Sequence, residues 1–316
     1  VFFEVASWTR PAAIVCHDLV TRETTVDFDT SPPGHDPDGY VTEMVAVMST
    51  DGAAVPLTLV HRRDVTPDGA RPTLLVAYGS FGYVFGSGSF FPPYAGWIDS
   101  GGVLAVAGVR GGGERGQDWH DAGTMERKQN TFDDCAAVAE WLFAHGWTSP
   151  RRLALNGHSA GGLLAGVMLV QRPELFAAVV PEVALLDMLR YRRFTTSNAG
   201  ISEYGTAEDP DQFATLKAYS PVHNVRPGTA YPATLITTGE SDDRLPPGVH
   251  AYKFAATLQQ AQGGTAPILL SVRRDAGHGH GKPVAAQAAE AAEFLAFLWD
   301  ALEAGRISSG FETARR

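Results

Sequence analysis

The sequence predicts an α/β protein whose central sheet is mostly parallel and carries helices on both faces. Two observations predict it. Continuous apolar runs of β character recur at 73–79, 103–109, 152–157, 176–181, 233–239 and 268–273, and segments with apolar residues at helical spacing lie between them. Strands buried on both faces read as unbroken apolar runs, and parallel strands need crossover helices, so the alternation specifies the architecture. With 316 residues, 44% of them hydrophobic and 19% charged, the chain can bury a large core, and collagenous, coiled-coil and disordered classes are excluded.

Residues 1–40 contain short β-like runs at 1–7, 14–19 and 24–28, then the Pro/Gly/Asp-rich stretch SPPGHDPDG. This reads as a hairpin remnant of an N-terminal β region plus a linker, too small for a core of its own. From Tyr40 to Arg63 two strands flank Asp51-Gly52, a strong hairpin signal. Among the helices, the one ending at His145 opens on a capping-box-like Thr131-Phe-Asp-Asp134 and stops at Gly146. Others are expected at 162–171, 248–262 and 285–304. The expected organisation is therefore 1–40 as remnant and linker, 41–304 as one α/β domain, and 305–316 as a polar tail.

The net charge of −10, without any long Lys/Arg run, argues against nucleic acid and anionic membranes as partners, since their affinity comes from clustered cations. The longest apolar stretch tested as a span, 101–109, falls short of the ~20 residues a transmembrane helix needs. Cys16 and Cys135 make no disulfide framework and have no paired metal-ligand spacing. The start VFFEVASWTRP has no initiator Met, basic n-region or small-residue cleavage site, and reads as a fragment or processed chain of cytoplasmic location.

In parallel sheets the chemistry sits at the carboxyl ends of the strands. After RLALNG comes Gly157-His158-Ser159-Ala160-Gly161 and then a helix. The flanking glycines permit the sharp strand-to-helix turn that lifts a nucleophile above the sheet, the elbow of α/β-hydrolases. A serine needs a base, and the base needs an orienting carboxylate; in this fold they follow in the order Ser, acid, His. ATLITTG is followed by Asp242 and ILLSVR by His278, which are the choices here, with Asp243 and His280 as rivals. A His-x-His metal site is a further reading, but no nearby Cys or carboxylate completes it, and no metal or cofactor is expected. For an oxyanion, the Ala160 N–H is one donor and the phenol of Tyr78, at the end of an early strand, is another; an aromatic merely closing a sheet edge remains the alternative. Gly111-Gly-Gly113-Glu-Arg-Gly116 matches GxGxxG, but no apolar-periodic helix follows, so it is not read as a dinucleotide site.

These residues carry a resemblance. From 40 to 299 the chain resembles the catalytic domain of the prolyl oligopeptidase family of serine peptidases, through AYGSFG (77–82), GGVLAVAGVRGGGERGQDWHDAG (101–123), KQNTFDD (128–134), TSPRRLALNGHSAGGLL (148–164), EVALLDMLRYRRFT (182–195), YPATLITTGESDDRLPP (231–247) and DAGHGHGKP (275–283). The resemblance implies an α/β-hydrolase fold, a triad of Ser159, Asp242 and His278, and an oxyanion hole of Tyr78 and Ala160. It also implies an apolar pocket for the residue before the scissile bond, at Phe81, Val183, Leu185, Tyr204 and Leu245, with Arg244 holding a substrate carbonyl. A surface ion pair with Asp243 is the alternative for Arg244.

Two departures bear on specificity. In the run Asn198-Ala-Gly-Ile-Ser-Glu-Tyr-Gly205, Gly200 stands where post-proline cleavers carry a tryptophan that stacks on the proline ring. Losing that ring forfeits ~1–3 kcal/mol and relaxes proline preference. His158 and Ala160 replace the Gly and Asn usual beside the nucleophile. The family also carries an N-terminal β-propeller, of which 1–30 resemble the end. The expected function is thus a serine hydrolase cleaving short peptides after proline or a small apolar residue. Alternatives are an esterase, amidase or peptide-cyclising acyl transferase acting on a small acyl substrate and, more distantly, a non-catalytic binding module.

Overall fold

The computed structural model describes residues 1–85, 88–194, 200–279 and 281–302. His280, Asn198 and Ala199 of the run before Gly200, and the 305–316 tail lie outside the described residues. The chain opens with a three-stranded antiparallel sheet, β1 (Phe2–Val5), β2 (Ala13–His17) and β3 (Thr24–Asp29), so the hairpin expected there has a third strand. Strands β4 (Tyr40–Met48) and β5 (Ala54–Arg62) follow as an antiparallel pair in continuous register from Tyr40↔Arg62 to Met48↔Ala54. Their connection places Gly52 at φ +86°, a left-handed conformation that glycine adopts without a Cβ penalty.

Strands and helices then alternate. They are β6 (Thr73–Ala77), α1 (Pro92–Asp99), β7 (Val103–Ala107), α2 (Gln117–Asp121), α3 (Gln129–Ala144), β8 (Leu153–His158), α4 (Ala160–Gln171) and β9 (Ala178–Glu182). After these come α5 (Tyr191–Phe194), α6 (Gly200–Tyr204), α7 (Pro210–Tyr219), β10 (Ala233–Gly239), α8 (Ala251–Ala261), β11 (Ile268–Arg273) and α9 (Val284–Ala301). The second sheet has the order β11-β10-β9-β8-β6-β7-β5-β4; β6 to β11 run parallel and β4 and β5 form an antiparallel edge. The path steps from β6 to β7 on one side and returns to β8 on the other. Such a reversal opens a crevice at the carboxyl ends of β6 and β8, where Tyr78 and Ser159 stand.

Side chains of alternating parity divide the core. Leu75 and Ala77 pack with α3, α4 and α8, whereas Leu74 and Val76 pack with Trp97 of α1 and Leu298 of α9. The inner strands β6 to β10 are buried on both faces, which is why their sequences show no polar alternation. One local expectation fails. Helix α3 begins at Gln129 with no side-chain cap, so Thr131 and Asp134 lie inside it. The Thr131 hydroxyl donates to the Arg110 carbonyl at 2.7 Å, and Asp134 accepts from the Arg110 guanidinium at 2.6 Å. A tertiary use of those polar groups replaced the cap. The other end is as read, with α3 ending at Ala144 and Gly146 at φ +71°.

Candidate active site

Ser159 sits between β8 and α4 at φ +58°, ψ −111°, a costly conformation for a residue with a side chain. Its neighbours make the turn possible. A Cβ on Gly157 would lie 2.0 Å from the Gly161 carbonyl oxygen, one on Gly161 2.5 Å from the Ala77 carbonyl oxygen, and one on Gly162 2.5 Å from Ala184 Cβ. The Ser159 N–H donates to the Glu182 carbonyl at 2.8 Å, fastening the turn to the end of β9. Helix α4 starts at Ala160, so the Ala160 N–H belongs to the first-turn amides that have no acceptor within their own helix.

Three side chains from three loops form one relay. His278 Nε2 is 2.9 Å from Ser159 Oγ, and His278 Nδ1 is 2.8 Å from Asp242 Oδ2. The other Asp242 oxygen accepts from the Leu245 N–H at 2.8 Å and the Arg244 N–H at 3.0 Å. Burial pushes the Asp242 carboxyl up, but the His278 hydrogen bond and those two amides outweigh it and hold it below the usual carboxylate range. The carboxylate therefore stays charged at neutral pH and fixes the Nδ1–H tautomer, leaving Nε2 to accept the serine proton. Both ring nitrogens of His278 are thus engaged, which removes the first ligand from the His-x-His metal reading. Asp243, the rival acid, is exposed.

The loop after β6 brings Tyr78 to the same serine. The Ser159 side chain lies close enough to lower the Tyr78 phenol's pKa, and a Cβ on Gly161 would be 3.5 Å from the Tyr78 ring, so the tyrosine lies against the first turn of α4. Burial raises the Tyr78 phenol above its ordinary pKa, the charge of Glu203 adds to this, and Arg244 draws it partly back. A phenol kept protonated is a donor, as an oxyanion site requires. The ring is braced by Tyr83, edge-on at 5.3 Å, and Phe85, parallel at 6.3 Å.

Of the residues expected to line a pocket, Phe81 and Tyr204 meet edge to face at 5.7 Å. Val183 and Leu185 are buried in the segment after β9, and Leu245 is buried three residues beyond Asp242. Arg244 is exposed and its charge reaches Tyr78. At Gly200 a Cβ would stand 2.7 Å from the Tyr191 ring. That ring packs edge-on against Tyr204 at 6.0 Å, and its hydroxyl donates to the Gly205 carbonyl at 2.5 Å. An aromatic from another element therefore fills the space beside position 200.

Sequence reasoning missed several supports. The run 111–116 lets two loops touch through their backbones: a Cβ on Gly111 would fall 2.2 Å from the Gly79 carbonyl oxygen, and one on Gly113 2.2 Å from the Gly82 carbonyl oxygen. His250 has no motif around it. Its buried Nδ1 accepts from the N–H groups of Leu186 and Asp187 at 3.1 and 3.2 Å, tying the stretch after Asp242 to the loop after β9. Burial lowers the His250 pKa to about 4, while the charges of Asp187 and Asp242 pull upward and Lys253 pushes further down.

Residues 90–305 match the prolyl oligopeptidase family. The chain belongs to that family. Among curated relatives, it is 39% identical over 297 residues to the prolyl endopeptidase of Elizabethkingia meningoseptica, covering 94% of this chain and 42% of that protein. It is 36% identical over 309 residues to the dual function macrocyclase-peptidase of Galerina marginata, covering 95% and 42%. A solved prolyl endopeptidase superposes with a TM-score of 0.91 at 44% identity, over 96% of this chain and 44% of that one. Prolyl oligopeptidase B from Galerina marginata, bound to a 35mer hydrolysis and macrocyclization substrate, superposes with a TM-score of 0.90 at 34% identity, over 96% and 43%. This chain spans less than half the length of these prolyl oligopeptidase relatives, and its sheet and crossover helices are their α/β-hydrolase fold.

Proposed function

We propose that this chain is the catalytic part of a serine peptidase that cleaves short peptides after proline or a small apolar residue. The observation that carries the reading is the unbroken relay from Asp242 through His278 to Ser159, with Tyr78 packed against the first turn of α4 beside it. In this reading Ser159 Oγ attacks the scissile carbonyl as His278 Nε2 takes its proton. The oxyanion that forms accepts hydrogen bonds from the Tyr78 hydroxyl and the Ala160 N–H. His278 then gives its proton to the departing amine, and a water activated by the same nitrogen releases the acyl group from Ser159.

Phe81, Val183, Leu185, Tyr204 and Leu245 form the proposed apolar pocket, and Arg244 orients a substrate carbonyl. The prolyl endopeptidase relatives support a proline-sized acyl residue. Gly200 supports a looser preference, because it has no side chain to stack on substrate and a Cβ there would meet the Tyr191 ring at 2.7 Å. Peptide cyclisation is the second reading, favoured by the macrocyclase relative: an amine of the acyl chain would replace water in the last step. The greater length of the relatives supports a further module in the working enzyme, and the resemblance implies a β-propeller.

The test is kcat/KM on blocked dipeptide amides differing only in the last residue, Pro, Ala, Phe or Arg, beside the Pro ester. Pro or Ala amides preferred tenfold or more over Phe and Arg support the proposal. Turnover of the ester without any amide turnover contradicts the peptidase assignment.

A further inference from the structure

Behind the turn that follows Tyr78 lies a buried ion pair that the relay does not use. Lys128 and Glu203 are each 1% exposed. The Lys128 ammonium donates to the Gly79 carbonyl at 2.6 Å, the Ser80 hydroxyl at 2.8 Å and Glu203 Oε1 at 3.0 Å, and it lies 5.2 Å from the centre of the Tyr204 ring. The Tyr204 hydroxyl donates to Ser80 Oγ at 3.1 Å. Glu203 Oε2 is 2.8 Å from His120 Nε2, and the His120 ring covers Gly82. Four separate parts of the chain converge here: the turn after β6, α2, the residue opening α3, and α6.

Stability alone does not explain such a pair. Desolvating two charges costs several kcal/mol per ion, and a packed apolar pair of the same volume is often as stable. What the charges fix is the shape of the turn. Gly79, Phe81 and Gly82 have φ of +66°, +60° and +61°, a conformation that a non-glycine residue holds only when its surroundings over-determine it. One end of this turn is Tyr78 and the other is Phe81, which meets Tyr204. Ammonium protons on the Gly79 carbonyl and the Ser80 hydroxyl hold the turn from within, while His120 holds Glu203 from outside.

We infer that Lys128, Glu203 and His120 are positioning residues, a clamp that sets the oxyanion phenol of Tyr78 and the Phe81–Tyr204 face of the pocket as one unit. The inference rests on the reading of Tyr78 as the oxyanion donor. The charge of the clamp is itself titratable: burial drives the Lys128 amine down to about 8, against the upward pull of Glu203. The other groups facing it are His120, reached through Glu203 and itself 3.7 Å from Asp121, and the phenols of Tyr204, Tyr219 and Tyr78. Burial raises all three phenols, so they keep their protons where Lys128 loses its own.

The experiment measures kcat and KM from pH 6 to 10 for Lys128→Met and Glu203→Gln, each alone and combined with Tyr78→Phe. The native protein should lose kcat/KM as pH rises through about 8. Lys128→Met should lower kcat by roughly 10–100-fold, the range of a lost positioning contact, and erase that alkaline limb. Glu203→Gln removes the upward pull, so its limb should move to lower pH. In the Tyr78→Phe background the loss from either change should shrink to a few-fold, because the clamp acts through the phenol. If Lys128→Met does not fold, Glu203→Gln carries the test. Folded variants within twofold of native, or losses of the same size with and without Tyr78, overturn the clamp. Failure of Tyr78→Phe itself to lower kcat overturns the underlying oxyanion reading instead, and the two failures are distinct.

Discussion

The loops after β10 and β11 touch through their backbones, a Cβ on Gly239 falling 2.3 Å from the Gly277 carbonyl oxygen, and add side-chain hydrogen bonds and two backbone amides that fix Asp242 and His278, whereas the loops after β6 and β7 deliver Tyr78 through backbone packed on backbone. On the first side, exchanging one polar group changes the chemistry and leaves the chain path intact. On the second, a single added methyl group meets a carbonyl oxygen at 2.2 Å and must move a loop. The comparison teaches that the proposed acid–base half adds functional-group contacts to close backbone packing, whereas the proposed oxyanion half is set by that packing and by the ion pair behind it. The Lys128–Glu203 pair holds the turn after Tyr78 as the buried Asp242 carboxylate holds His278 on the other side.

The contrast can be broken at graded cost. On the acid–base side, Ser159→Ala should lower kcat by about 10⁴-fold or more and Asp242→Asn by about 10⁴-fold, both with thermal unfolding close to native. Stopped-assay kinetics beside calorimetry would check this, and a large fall in Tm for either would dissolve the distinction between the two halves. Tyr78→Phe should lower kcat by about 10²–10³-fold with little change in KM, the cost of one oxyanion donor.

Gly111→Ala should behave differently from all of these. The added Cβ meets the Gly79 carbonyl oxygen at a φ of +91°, so unfolding free energy should drop by ~2–4 kcal/mol and activity should fall with it. Denaturant melts would measure it. A native midpoint would show that the two loops can separate without penalty.

The smallest effect concerns His250. Its folded pKa of about 4 lies below the ordinary histidine value, so between ~6.5 and about 4 the unfolded chain binds a proton that the folded chain does not. Stability should therefore fall as pH drops through that window. His250→Asn, which keeps an acceptor for the Leu186 and Asp187 amides, should flatten the slope in Tm against pH; an unchanged slope would assign it to other groups.

The same contrast explains what the sequence made legible. The inner strands β6 to β10 announced themselves because burial on both faces leaves an uninterrupted apolar run, and Ser159 and Asp242 stood just after two of those runs, His278 after the partly exposed edge strand β11. The glycines around Ser159 were readable because one approach they permit is local, between Gly157 and Gly161, although Gly161 and Gly162 also approach Ala77 and Ala184. Gly111 and Gly113 approach carbonyls some thirty residues away, so their run looked like a phosphate-binding loop that lacked its helix. Lys128 and Glu203 are 75 residues apart, and neither residue type signals burial. Thr131 and Asp134 misled because a capping pattern and an interior contact to Arg110 use the same side chains.

The central claim is that Ser159 is a nucleophile activated by His278. Labelling the native protein and His278→Gln with a fluorophosphonate, followed by peptide mapping, tests it most directly. The account predicts a single adduct, on Ser159, formed at least about 10³-fold more slowly in His278→Gln. Modification at another residue, or an equal rate at Ser159 in the variant, would contradict it.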